Sequence, residues 1–296
     1  RVLECVAEPY QFEPYHAALR EPYDFYALAQ NFSEGVINRE DSEIVGLDLV
    51  QQMQEQLAAG DNVVLLANHQ SEADPQIFST LLDPVVPGFA ESAIFVAGDR
   101  VTTDLLAQPF SKGRNLLCIY SKKHIENPPE LKAEKSRHNK NVMKQMKSLF
   151  SEGGKLIWVA PSGGRDRADE SGEYQVAPFD PKSVEMFRLM AGKAKERTTH
   201  FYPLSMLTWP VCPPPNAVGG AVGEVRVVGW RPAGLHFGPS IDFSNVEEES
   251  VKSDLIPEDI DPAGEKEAMQ RAVAEHVHGQ VSENYKGLVE KMQLWL

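Results

Sequence analysis

The stretch NHQSEADP, residues 68–75, sets a histidine five positions before an aspartate, directly after the apolar run VVLLA. A neutral imidazole takes up a proton near pH 7, and a carboxylate on its other nitrogen fixes the tautomer that leaves one nitrogen free. In an ideal helix five residues turn through about 500°, so His69 and Asp74 would point roughly 140° apart and never meet. A turn must therefore separate them. Asp74-Pro75 supplies one, read as an N-cap followed by proline at the first helical position. His69 then hangs at the carboxyl end of a strand over 63–67, where open α/β sheets bind their ligands. Spacing alone equally fits a plain helix cap beside a solvated histidine.

Two further segments add cations. APSGGRDR, 160–167, follows the apolar run KLIWV. Its glycines let the backbone approach a ligand closely, and Arg165 and Arg167, two apart, project to one side of an extended chain as a phosphate clamp requires. SKKH, 121–124, follows LLCIY and sets Lys123 and His124 at another strand end. Taken singly, these read as a surface turn with solvated arginines and a hydrophilic loop. Taken together, a base at one strand end and cations at two others converge on one rim of a parallel sheet. Proton abstraction from a hydroxyl beside a bound phosphate uses both.

The elements that would position these groups are legible as periodicity. Short apolar runs at 63–67, 93–97, 116–120, 155–160, 201–207 and 224–230 read as strands. Helical patterns fall at 42–59, 138–150 and 182–195. In the last thirty residues Met269, Val273, Val277, Val281, Tyr285, Leu288 and Met292 share a face. Strand–helix alternation predicts an α/β fold: a mixed, mostly parallel central sheet covered by helices on both faces. One domain is expected over 1–296, with residues 1–40 as an irregular and helical lead-in.

The 296 residues carry a net charge of −14, which argues against nucleic acid as a partner. Charge is uneven, however. Residues 121–147 hold Lys122, Lys123, Lys132, Lys135, Arg137, Lys140, Lys144 and Lys147, an island suited to an anionic partner or to a solvated helix face. The longest apolar runs fall far short of the roughly 20 residues that span a bilayer, so no stable membrane insertion is expected. Cys5, Cys118 and Cys212 are too scattered for a disulfide framework or a metal knuckle. EHVH at 275–278 is read as surface. The first residue, Arg1, suggests a processed or trimmed chain.

NHQSEAD, FVAGDRV, YSKKH and APSGGRDR together resemble, in order and spacing, the plastid-type soluble glycerol-3-phosphate acyltransferases, members of the glycerolipid acyltransferases marked by an HxxxxD motif. The similarity runs from about Ile44 to Leu207. It implies transfer of a fatty acyl group from acyl carrier protein to the sn-1 hydroxyl of glycerol 3-phosphate in the plastid stroma, without a cofactor. His69 and Asp74 would be the base and its orienting carboxylate, and Lys123, His124, Arg165 and Arg167 would hold the substrate phosphate. Two departures matter. Ser162 stands where the wider family has a glutamate, so no role passes to that position. The helical domain that such enzymes carry ahead of the catalytic one is expected to be largely absent. A lysophosphatidate acyltransferase, a thioesterase using the same dyad on water, and a non-catalytic anion- or lipid-binding protein are the alternatives.

Overall fold

Residues 62–67, NVVLLA, form a strand buried at every position. Successive side chains of a strand point to opposite faces, and here both faces are covered. Val63, Leu65 and Ala67 join a core cluster with Val50, Met53, Ile77, Phe78 and Leu82 on one side. Val64 and Leu66 join Val142, Met146, Phe150, Phe187, Val277 and Val281 on the other. A continuous apolar run is what burial on both faces demands.

The computed structural model describes residues 10–121, 125–214, 226–252 and 262–292. Its strands are β1 Tyr15–His16, β2 Glu43–Val45, β3 Asn62–Ala67, β4 Ile94–Gly98, β5 Asn115–Ile119, β6 Leu156–Val159, β7 Arg167–Ala168, β8 Tyr174–Gln175, β9 Thr199–Leu207 and β10 Gly234–Phe237. Its α-helices are α1 Phe25–Glu34, α2 Leu47–Ala58, α3 Asp74–Leu82, α4 Phe89–Ser92, α5 Arg100–Thr103, α6 Gln108–Lys112, α7 Lys132–Glu152, α8 Pro181–Lys193, α9 Phe243–Lys252 and α10 Pro262–Met292. The eight-stranded sheet has the order β1-β5-β4-β6-β3-β9-β10-β2, and β7 and β8 form a separate hairpin. The run from β5 to β9 is parallel throughout. Both β1 against β5 and β10 against β9 are antiparallel. The expected α/β architecture, a mostly parallel mixed sheet between helices, is the one observed.

Two boundaries differ from the sequence reading. The helix expected over 42–59 begins only at Leu47, because Ile44 lies in β2 and Gly46 takes φ +80° at the junction. A side chain at Gly46 would bring its Cβ to 2.4 Å from the Phe237 carbonyl oxygen. The strand expected over 224–230 is absent among its described residues. Residues 226–230 are irregular, and the sheet is extended instead by β10. The contacts of this segment lie elsewhere: Arg226 binds Glu72 and, at 2.6 Å, Asp104, and the Gly229 amide donates to the Val211 carbonyl at 3.0 Å.

The terminal stripe packs as its periodicity predicts, with Val273, Val277, Val281, Tyr285, Leu288 and Met292 of α10 buried. It is bolted to the sheet where the Ser205 hydroxyl donates to the Val281 carbonyl at 2.7 Å. His278, expected at the surface, instead packs edge-on against Phe179 and lies 3.0 Å from the Val176 carbonyl. On α7, Lys132, Arg137, Lys140, Lys144 and Lys147 are exposed, as a basic face requires. Lys135 departs from that face. It is buried and donates to the Asn127 carbonyl.

Candidate active site

β3 ends at Ala67 and α3 begins at Asp74, so residues 68–73 form the turn that the histidine–aspartate spacing requires. Asp74 is not the cap itself. Ala73 occupies that position, and Asp74 opens the helix with its carboxylate folded back over the turn. Four donors converge on it. One oxygen accepts from the Ser71 amide at 3.0 Å and the Thr208 hydroxyl at 2.6 Å. The other accepts from the Gln70 amide at 3.0 Å and meets His69 Nδ1 at 2.7 Å. A carboxylate only accepts, so Nδ1 carries the proton and Nε2 is left as the basic nitrogen. The Asp74 side chain is fully buried, whereas that of His69 is 27% exposed, so the base reaches solvent while its partner stays locked. Trp158 on β6 packs edge-to-face on the imidazole, with ring centroids 5.9 Å apart.

The turn spends its own backbone on this arrangement. The amides of Gln70 and Ser71 bind Asp74, that of Ala73 binds the Ser71 hydroxyl, and that of Asp74 binds the Ser71 carbonyl. These four N–H groups are therefore committed, and none serves as a ready-made oxyanion donor.

The glycine-rich segment after β6 runs beside the turn. The Asp166 amide donates to the His69 carbonyl at 2.6 Å. Along Arg165, Asp166 and Arg167 the residues are half-buried, fully buried and exposed. That alternation turns Asp166 inward and both arginine stems outward. Arg165 stays close to the turn: burial and then Glu72 raise the Cys212 thiol pKa, and Ser71, Arg165 and Arg226 oppose the rise. Arg167 begins the β7–β8 hairpin and lies near Tyr174, whose ring stacks on Trp209 at 4.6 Å. His69, Asp74 and the two arginines are thus brought to one end of the sheet. Lys123 and His124 lie outside the described residues. The segment leading to them is clamped by Asn139 of α7, which binds both the amide and the carbonyl of Tyr120 at 2.9 Å.

Sequence reasoning missed Asn68, Gln70, Asp166 and Thr208. Asn68 is wholly buried and bridges to β9, its Oδ1 accepting from the Met206 amide at 2.7 Å and its Nδ2 donating to the Met206 carbonyl at 3.0 Å. Gln70 Oε1 accepts from the Thr208 amide at 3.0 Å. Asp166, also fully buried, accepts from Asn68 Nδ2 at 2.8 Å and the Ala177 amide at 2.9 Å. Burial lifts its carboxyl pKa to about 6, with Asp74 adding to the rise and the Ala177 amide, Asn68 and His69 opposing it. Cys118 and Cys212 are buried thiols with raised pKa values, Cys118 reaching about 12, so neither is an activated nucleophile. Among the described residues no cluster of three or more metal-ligating side chains is present.

A histidine is thus locked by a buried aspartate across an HxxxxD turn, at the carboxyl end of a parallel strand. The chain belongs to the acyltransferase family, whose sequence model, described as Acyltransferase, matches residues 49–207, more than half of it. The chain is 43% identical over 247 residues to the chloroplastic glycerol-3-phosphate acyltransferase of Arabidopsis thaliana, an alignment covering 83% of this chain and 54% of that one. With a chloroplastic glycerol-3-phosphate acyltransferase of Cucurbita moschata it shares 43% identity over 278 residues, 94% of this chain and 58% of the relative. The chain thus spans somewhat over half the length of these relatives. Among solved structures it is similar to the 1-acyl-sn-glycerophosphate acyltransferase PlsC of Thermotoga maritima, with a TM-score of 0.43, 14% identity, and 88% and 77% of the two chains covered.

Proposed function

We propose that this chain transfers a fatty acyl group from acyl–acyl carrier protein to the sn-1 hydroxyl of glycerol 3-phosphate, giving 1-acyl-glycerol 3-phosphate, in a plastid. The observation that carries the reading is the 2.7 Å contact between His69 Nδ1 and a wholly buried Asp74, with the arginine segment held against the same turn. In this mechanism His69 Nε2 takes the proton of the sn-1 hydroxyl as its oxygen attacks the thioester carbonyl. Asp74 stabilises the imidazolium that forms. The thiolate of the carrier's prosthetic arm then leaves, and the proton passes to it. Arg165 and Arg167, with Lys123 and His124, hold the phosphate, Arg offering a planar fork matched to its oxygens. A thioester is already activated, so the reaction needs no organic cofactor.

The acyl donor would dock on the exposed cations of α7. On a chain with net charge −14, that face attracts an acidic carrier where the remaining surface repels it. The test is an assay with acyl–acyl carrier protein, run with and without glycerol 3-phosphate. Acylated glycerol phosphate formed only with the acceptor supports the reading. Release of free fatty acid at the same rate without acceptor would make the chain a thioesterase. Activity on a lysophosphatidate acceptor and none on glycerol 3-phosphate would make it the next enzyme class.

A further inference from the structure

We propose that Asp166 is a positioning residue that sets the spacing between the phosphate-binding arginines and the His69 base. The proposal rests on the function inferred above and adds to it the group that fixes the acceptor's two ends relative to each other. A three-carbon acceptor must be gripped at its phosphate and at its far hydroxyl together, so the separation of the two grips decides which acceptors fit.

Asp166 sits between the two arginines and is tied on three sides. Its backbone amide holds the His69 carbonyl at 2.6 Å, one carboxylate oxygen accepts from Asn68 Nδ2 at 2.8 Å, and the other accepts from the Ala177 amide at 2.9 Å. Asn68 immediately precedes His69 and cannot turn its amide over, because Oδ1 and Nδ2 are both engaged by Met206 on β9. Through one fully buried carboxylate, the segment that carries Arg165 and Arg167 is therefore pinned to the residue beside the base. Neither mechanism nor phosphate binding otherwise accounts for an acidic side chain between two cations, turned away from solvent. A solvated aspartate there would compete with phosphate for the guanidinium groups. Turned inward, it uses its charge to anchor the backbone that carries them.

Asp166→Asn isolates this role. Both groups facing the carboxylate are donors, so an asparagine amide keeps one contact and loses the other whichever way it faces, at nearly unchanged volume. Calorimetric titration of the full chain with glycerol 3-phosphate and, separately, with inorganic phosphate reads the effect. Inorganic phosphate needs only the arginine grip, whereas glycerol 3-phosphate needs both. The expected result is that D166N weakens glycerol 3-phosphate binding about tenfold, the loss of one charge-assisted hydrogen bond, and inorganic phosphate binding less than about twofold. Asn68→Ala, which removes the Asn68–Asp166 contact from the other side, should give the same differential. Equal weakening of both ligands, or no weakening of either, would overturn the proposal. Should D166N fail to fold, N68A alone decides it by the same ratio. Failure of the unmodified chain to acylate glycerol 3-phosphate would refute the functional reading, whereas an unchanged ratio of the two dissociation constants would refute the spacing role.

Discussion

Replacing Asp74 by asparagine exchanges one oxygen for an amide nitrogen at a site where all four partners are donors. If the amide nitrogen faces His69 and Gln70, the Gln70 N–H loses its acceptor. The imidazole must then flip its tautomer, so that Nε2 carries the proton and no longer accepts one. If it faces Ser71 and Thr208, the hydroxyl can rotate to accept, the Ser71 N–H is orphaned, and the correct tautomer survives without a countercharge for the imidazolium. Either way the general base is impaired, and a loss of about 10²–10⁴-fold in turnover follows, roughly 3–5 kcal/mol of barrier. The orphaned amide costs about 1–3 kcal/mol of stability, offset in part because a fully buried charge has been removed. The assay is initial-rate acyl transfer at saturating glycerol 3-phosphate, with the melting midpoint measured on the same preparation. His69→Ala sets the floor, since it removes the base outright. A D74N variant that is folded and within about fivefold of the parent rate would refute the dyad and leave Asp74 as a structural carboxylate.

Other outcomes follow from the same structure. Arg165→Ala and Arg167→Ala should each raise the half-saturating concentration of glycerol 3-phosphate, by about 1.5–3 kcal/mol per charged hydrogen bond lost, and leave that of the acyl donor alone; a rise for the donor instead would remove them from the phosphate site. Asp166, whose folded-state carboxyl titrates near about 6 against an ordinary 3.8, binds more protons folded than unfolded between those values. Its contribution is therefore full below the lower value and is lost as pH rises through the higher, about 3 kcal/mol in all. Urea denaturation of parent and D166N at pH 4.5 and pH 7 should show the parent losing stability relative to the variant as pH rises, and a flat difference would contradict the assignment. Gly46→Ala should cost more than about 2 kcal/mol, combining a left-handed backbone with a Cβ driven into the Phe237 carbonyl; a smaller drop in the urea midpoint would mean that the β2–α2 junction yields.

The dyad was legible because its spacing is local. Five residues, a preceding apolar run and a following proline restrict the chain to a turn, and a turn brings His69 and Asp74 together. The parallel core was legible for a similar reason, since a strand buried on both faces has to be apolar at every position. What holds the dyad was not. Thr208 lies 134 residues from Asp74, Met206 lies 138 from Asn68, and Asp166 lies 98 from Asn68. Those contacts exist only because β3 runs between β6 and β9, and strand order leaves no periodic mark in a sequence. The irregular path of residues 226–230 was hidden likewise. Its valines and tryptophan read as a strand, whereas its contacts run from Arg226 to Glu72 and Asp104 and from the Gly229 amide to Val211. The bonds that commit the amides of Gln70, Ser71, Ala73 and Asp74 leave no mark in the sequence either.

Thr208, one residue past the stretch that the family model matches, closes the ring of donors around Asp74. That donor is synthesised long after the histidine itself, so a nascent chain ending before it can form the local His69–Asp74 contact but has one donor fewer on the carboxylate. Contacts this distant in sequence form slowly, so the Asp74 carboxylate gains its full set of donors only on completion of the sheet.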